Sequence, residues 1–438
     1  MSEDLEFKWE WLPPFEPESL EAVTFADMQI CLGAKAVTEL EDDRSRTLRR
    51  GMYISAYPLA LFLAANWWRL RWEPKPLQED AAWRMRHCLP AIGEGYVWPD
   101  LTFASDGEGI LVTARSTEKS RTSPVRYIAD FTGWVPATSF ERGVCRCIEG
   151  VLSRLEAFGM TNSDLAGVWA EVQAENVDSA AACLRRIEAL AGYDPDEAPE
   201  AFVRDLLAAE ADVGLPAIQE LAAASQSRAL DDLRMLQESL QSQGVAFRIA
   251  DFERLISAVQ PGNYLNPPWQ RAYAAAQKVR EIWNLDEKPI SNSLLAELFG
   301  VQRNVLEDDQ GAGSVLNAPY SASGWHRGNA DRRLILNRKP VTSRRFAMCR
   351  LLGDSMFGVS DGRLSAATDA GTSRQKFQRA FAQGLLCPFD ALMEFIGKDV
   401  PSDDDIEDAA AHFTVSPRLV YTTLVNHHVL PREVLLVG

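Results

Sequence analysis

The stretch Arg345-Phe346-Ala347-Met348-Cys349-Arg350-Leu351-Leu352-Gly353-Asp354-Ser355-Met356-Phe357 decides how the C-terminal part of this chain is read. It has the make-up of a largely buried helix that carries two opposite charges, Arg350 and Asp354, four residues apart. Side chains at i and i+4 share one helix face, so these two are expected to meet, for a few tenths of a kcal/mol when exposed. Buried, such a pair is worth several kcal/mol to anything that breaks it. Upstream, Leu334-Ile335-Leu336-Asn337 reads as a short strand ending in Asn. Downstream, Phe377 and Phe381 sit on one face of a helix that Pro388 ends or restarts.

The order of these pieces resembles the IrrE/ImmA type of bacterial zinc metallopeptidase. The frame R-F-x-x-x-H-E-L-G-H lies on Arg345-Phe346 through Leu352-Gly353-Asp354. Pro268 to Trp283 is similar to the family's opening helix, and Phe381-Ala382-Gln383-Gly384-Leu385-Leu386-Cys387-Pro388 to its F-A-x-x-L-L-x-P segment. Phe413-Thr414-Val415-Ser416-Pro417 resembles its closing F-x-V-S-x motif. The resemblance covers roughly residues 265–438 and implies a zincin-like domain. In that frame two His and a Glu hold zinc and a second Glu is the general base. This chain has Arg350 and Asp354 at the His positions, Leu351 at the base and Gln375 at the third ligand. Arginine is a permanent cation and leucine moves no proton. The expectation is therefore a pseudo-peptidase with no metal, no cofactor and no zinc-dependent catalysis. Arg350 is expected to bridge Asp354 and Gln375 in the metal's place.

The 438 residues carry 46% hydrophobic and 24% charged side chains, ordinary values for a soluble globular protein. No apolar run is long enough to span a bilayer. The start, Met1 to Glu6, lacks the basic and apolar parts of a signal peptide, so cytoplasmic residence is expected. Seven cysteines without a C-x-x-C pair and five histidines are not a metal-site inventory. The adjacent His87 and Cys88 invite a reactive-pair reading, although neighbours in sequence rarely face each other. No phosphate loop, nucleophile elbow or dinucleotide fingerprint occurs.

Three domains are expected. Residues 1–137 hold eight of the twelve tryptophans and alternate strand and helix patterns, with a turn signal at Asp106-Gly107. That density of Trp suits an aromatic core or a ligand groove. Residues 138–262 read as a helical adaptor, from Val144, Ile148, Val151 and Leu155 onward. Residues 263–438 form the peptidase-like domain, mostly helical, ending in a helix-turn-helix-like pair at 403–412 and 417–426.

Net charge is −17, which disfavours bulk attraction to nucleic acid and suits a protein partner. One segment runs against the trend: Arg327, Arg332, Arg333, Arg338, Lys339, Arg344 and Arg345 lie close together with the single acid Asp331. It is read either as a docking patch or as cations that pair with the chain's own acids. The functional expectation is a catalytically inactive, peptidase-like protein that binds a protein partner. A repressor, toxin or defence component would fit, in bacterial regulation, stress response, toxin-antitoxin systems or phage defence. The alternatives are a nucleic-acid-associated protein using the basic segment, or an enzyme whose site lies in the N-terminal domain.

Overall fold

The computed structural model describes residues 4–16, 18–119, 123–259, 266–307, 317–325, 332–357 and 363–431. The chain is α+β and divides into two compact units. One comprises Met1–Val203 with Ala370–Thr372; the other comprises Arg204–Asp369 with Ser373–Gly438.

The N-terminal unit is built on short antiparallel sheets. Leu5–Trp11 pairs along its whole length with Phe25–Leu32, from Leu5 opposite Leu32 to Trp11 opposite Ala26. Its burial alternates at the start, as a strand with one wet face does. Asp100–Ser105 and Gly109–Arg115 form a hairpin at the expected turn. Asp106 closes that turn by accepting from the backbone N–H groups of Glu108 and Gly109. Its other carboxylate oxygen accepts from Trp134 Nε1 at 3.0 Å. Gly109 is required there, because a Cβ would stand 2.3 Å from the Trp134 ring.

Trp67, Trp68, Trp83, Trp98 and Trp134 are buried. These tryptophans therefore build the core and do not line an open groove. Trp67 meets Trp169 edge to face at 5.3 Å, and Trp68 Nε1 donates to Glu175 at 2.7 Å. Both partners belong to the helix Asp164–Val177. The helix Ala137–Ala157 buries Val144, Cys147, Ile148, Val151 and Leu155 in the same core.

This corrects the expected three-domain division. The helical middle, 138–262, is not a body of its own. Its first helices complete the N-terminal core because their apolar stripes have no other partner. Leu215–Ser225 and Ala229–Gln243 instead pack on the sheet of the C-terminal unit. That sheet runs Val245–Ala246, Arg332–Ile335, Ser321–Trp325, Leu364–Ala367, all antiparallel. Limited proteolysis is accordingly expected to leave a C-terminal fragment that retains 215–243. Mass spectrometry of the resistant fragment checks this, and a stable fragment beginning near 263 would refute it.

Three helices form the centre of the C-terminal unit: Pro268–Ile282, Val341–Met356 and Ser373–Leu386. They approach closely where glycine allows it. A Cβ on Gly353 would lie 2.8 Å from the Phe381 ring, and one on Gly384 would lie 3.0 Å from Tyr273. The closing pair is Asp403–Phe413 and Pro417–Asn426. Ser402 and Asp405 make a capping box on the first, and Ser416 caps the second through Leu419 N. Leu419, Val420 and Leu424 bury one face of the second helix in the core of this unit. Among the described residues no helix is long and apolar enough to cross a membrane.

Candidate functional site

Chain order brings the site together. The strand Arg332–Ile335 runs out through Asn337, whose side chain accepts from Ser321 Oγ at 2.9 Å and donates to the Pro319 carbonyl at 3.1 Å. The helix Val341–Met356 follows, then the strand Leu364–Ala367, then the helix Ser373–Leu386. The last two helices face each other, and between them lie Arg350, Asp354 and Gln375. Each is more than nine-tenths buried. Leu351 points the other way, into the apolar core.

Arg350 Nη2 donates to Gln375 Oε1 at 2.6 Å and to the Thr368 carbonyl. Gln375 is fully used: Oε1 also accepts from Thr368 N at 3.0 Å, and Nε2 donates to the Ala366 carbonyl at 3.0 Å. Half of the expected bridge is therefore present and half is corrected. Asp354 does not pair with Arg350. It takes a bidentate contact from Arg374, with Nη2 to Oδ2 at 3.0 Å, and a bond from Gln378 Nε2 at 2.7 Å. Arg374 presents the planar fork that a carboxylate matches best, and it comes from the facing helix.

The electrostatics differ at the two ends of the cluster. Burial pushes the Asp354 carboxyl up. The Arg374 charge and the bonds from Arg374, Ser365 and Gln378 outweigh it and leave the group below the usual carboxylate range. Arg350 has weaker compensation: both of its bonds end on neutral oxygens, and the charges of Asp369 and Glu220 do not outweigh its burial. Burial, followed by repulsion from Arg379, lowers it to about 9.

These side chains do not suit zinc. A guanidinium stands at position 350, and the Gln375 amide has its oxygen engaged twice. Among the described residues no three His, Cys, Asp or Glu side chains cluster as a metal site.

The basic segment is only in part a surface. Arg327 lies outside the described residues. Arg344 and Arg345 are fully buried, which corrects their place in a docking patch. Arg344 donates to the carbonyls of Arg338 and Leu306; Arg345 donates to Ile290 O at 2.6 Å and Asn292 Oδ1 at 2.7 Å. These guanidinium groups bind acceptors on neighbouring segments, the carbonyls of Arg338, Ile290 and Leu306 and the Asn292 side chain. Arg332 is half-buried, near the Phe247 and Phe252 rings. Arg333 is half-buried too and donates to Gln241 O at 3.1 Å. Arg338 and Lys339 are exposed, and Arg338 lies 3.8 Å from Asp369.

Sequence reading missed Arg374, Gln378 and Arg379. The available signal was a polar run, Arg374-Gln375 and Gln378-Arg379, interleaved with Phe377 and Phe381 on a helix that has no outside to itself. His87 and Cys88 are not a reactive pair. His87 Nδ1 bonds the Trp83 carbonyl, the ring stacks on Trp83, and burial lowers its pKa to about 4. Cys88 Sγ contacts Thr102 instead, at 3.3 Å. Burial pushes the Cys147, Cys349 and Cys387 thiols up to about 12, which suits structural thiols. Comparison of the chain with protein-family models, with curated proteins and with solved structures finds no match.

Proposed function

We propose that the C-terminal unit is a peptidase-like scaffold of the IrrE/ImmA type whose metal centre has been replaced by a hydrogen-bonded polar cluster, and that the protein acts by binding a protein partner. One observation carries this. The three positions that the resemblance equates with zinc ligands, 350, 354 and 375, lie between two facing helices, and their side chains are engaged within the cluster. The residue order strand, helix, strand, helix around them is in keeping with the same scaffold. Purified full-length protein is expected to carry no stoichiometric zinc by elemental analysis. One tightly held zinc per chain would refute the reading.

Partner binding is tested separately by affinity capture from the native host, with and without nuclease. A protein partner retained under both conditions is expected. Capture that nuclease abolishes would favour the nucleic-acid alternative, which the burial of Arg344 and Arg345 weakens.

A further inference from the structure

A cleft of about 390 Å³ opens beside the Arg350–Gln375 contact. That is within the usual range of small-molecule sites, roughly 300–1,000 Å³. Its charge is unusual for so acidic a chain: Arg338, Arg350, Arg379 and Arg418 line it against one carboxylate, Asp369. Asp369 is exposed and lies 3.8 Å from Arg338, and its charge, with that of Glu220, offsets only part of the burial cost of Arg350.

Arg350 is the informative residue. It is 7% exposed, it lines the cleft, and its Nε is buried without a hydrogen-bond partner. A buried guanidinium whose hydrogen bonds all end on neutral oxygens is costly, and a bound anion would offset that cost. Two helix starts supply further positive potential. Thr342 and Ser343 line the cleft from the first turn of the 341–356 helix, which has no side-chain cap. Ser416 and Arg418 line it from the start of the 417–426 helix. Phe346 and Leu419 give it apolar wall.

We infer that this cleft binds a small phosphorylated molecule, with the phosphate on Arg350 and the rim arginines and the organic part against Phe346 and Leu419. Four guanidinium groups from separate elements suit a tetrahedral oxyanion with several acceptors. A planar carboxylate is satisfied by one fork. The chain's charge of −17 disfavours a long polyanion at the same place. The inference rests on the lining of the cleft and does not require descent from a peptidase.

Calorimetric titration of the full chain tests it, with adenosine 5′-monophosphate, inorganic phosphate, adenosine and a short single-stranded oligonucleotide as probes. The monophosphate is expected to bind saturably and to raise the melting temperature. Inorganic phosphate should compete, and adenosine should do neither. Arg338 and Arg418 are exposed, so the double variant Arg338→Glu/Arg418→Glu should fold, and it is expected to weaken monophosphate binding at least about tenfold. Arg204→Glu, at an exposed site outside the cleft, should leave binding unchanged. No saturable response to either phosphate probe, or equal affinity in the double variant, overturns the inference. A response to the oligonucleotide alone overturns it in favour of a nucleic-acid surface. Zinc content does not enter this test, so its failure is distinct from failure of the pseudo-peptidase proposal.

Discussion

Asp354→Ala is expected to lower the stability of the C-terminal unit by about 3–5 kcal/mol, the range for removing one partner of a buried ion pair. Asp354 and Arg374 form a bidentate ion pair whose side chains are 2% and 12% exposed. Removing the carboxylate takes both of these bonds from the Arg374 guanidinium and leaves Gln378 Nε2 with only a 3.3 Å contact to the Ala366 carbonyl. Asp354→Asn should cost less, because the amide oxygen still accepts from Gln378. Denaturant unfolding followed by hydrogen exchange of the 341–356 and 373–386 helices reads the C-terminal unit. Curves that overlay the parent would show that the ion pair contributes nothing.

The same residue sets a pH dependence. The folded-state pKa of Asp354 lies below its ordinary value of 3.8. Its contribution is therefore fully present above that ordinary value and is lost as pH falls through the folded-state pKa. Stability of the parent should drop along this acid limb, and the Asp354→Asn variant should lose less over the same interval.

Gly353→Val is expected to be comparably damaging, on the order of 3 kcal/mol, the upper part of the usual overpacking range. A Cβ at 353 would stand 2.8 Å from Phe381 Cδ1 and 3.0 Å from both Phe381 Cβ and Cγ. Phe381 is fully buried, and its Cβ moves only with its helix, so the two helices must separate. The higher helix propensity of a residue other than glycine offsets about 0.5–1 kcal/mol at most. A double-mutant cycle with Phe381→Ala isolates the clash. The combined variant should lose clearly less than the sum of the two single changes. Additive losses would place the damage elsewhere.

These two residues separate what the chain states locally from what folding decides. The Asp106-Gly107 turn and the apolar stripe from Val144 to Leu155 were both legible, because each depends on neighbours within a turn or two of backbone. The unsuitability of Arg350 and Leu351 for zinc chemistry was legible for a different reason: it follows from side-chain chemistry alone.

Tertiary structure decided the rest. Spacing along one helix offered Arg350 to Asp354, but a facing helix supplied Arg374 with better fork geometry, and no i, i+4 rule sees across two helices. Charge counted along the chain made residues 327–345 a patch, whereas packing turned Arg344 and Arg345 inward onto carbonyls distant in sequence. The helices at 138–262 had apolar stripes but no address. Their stripes are non-directional, and only the surfaces left open by two separate sheets determined which core each helix completed.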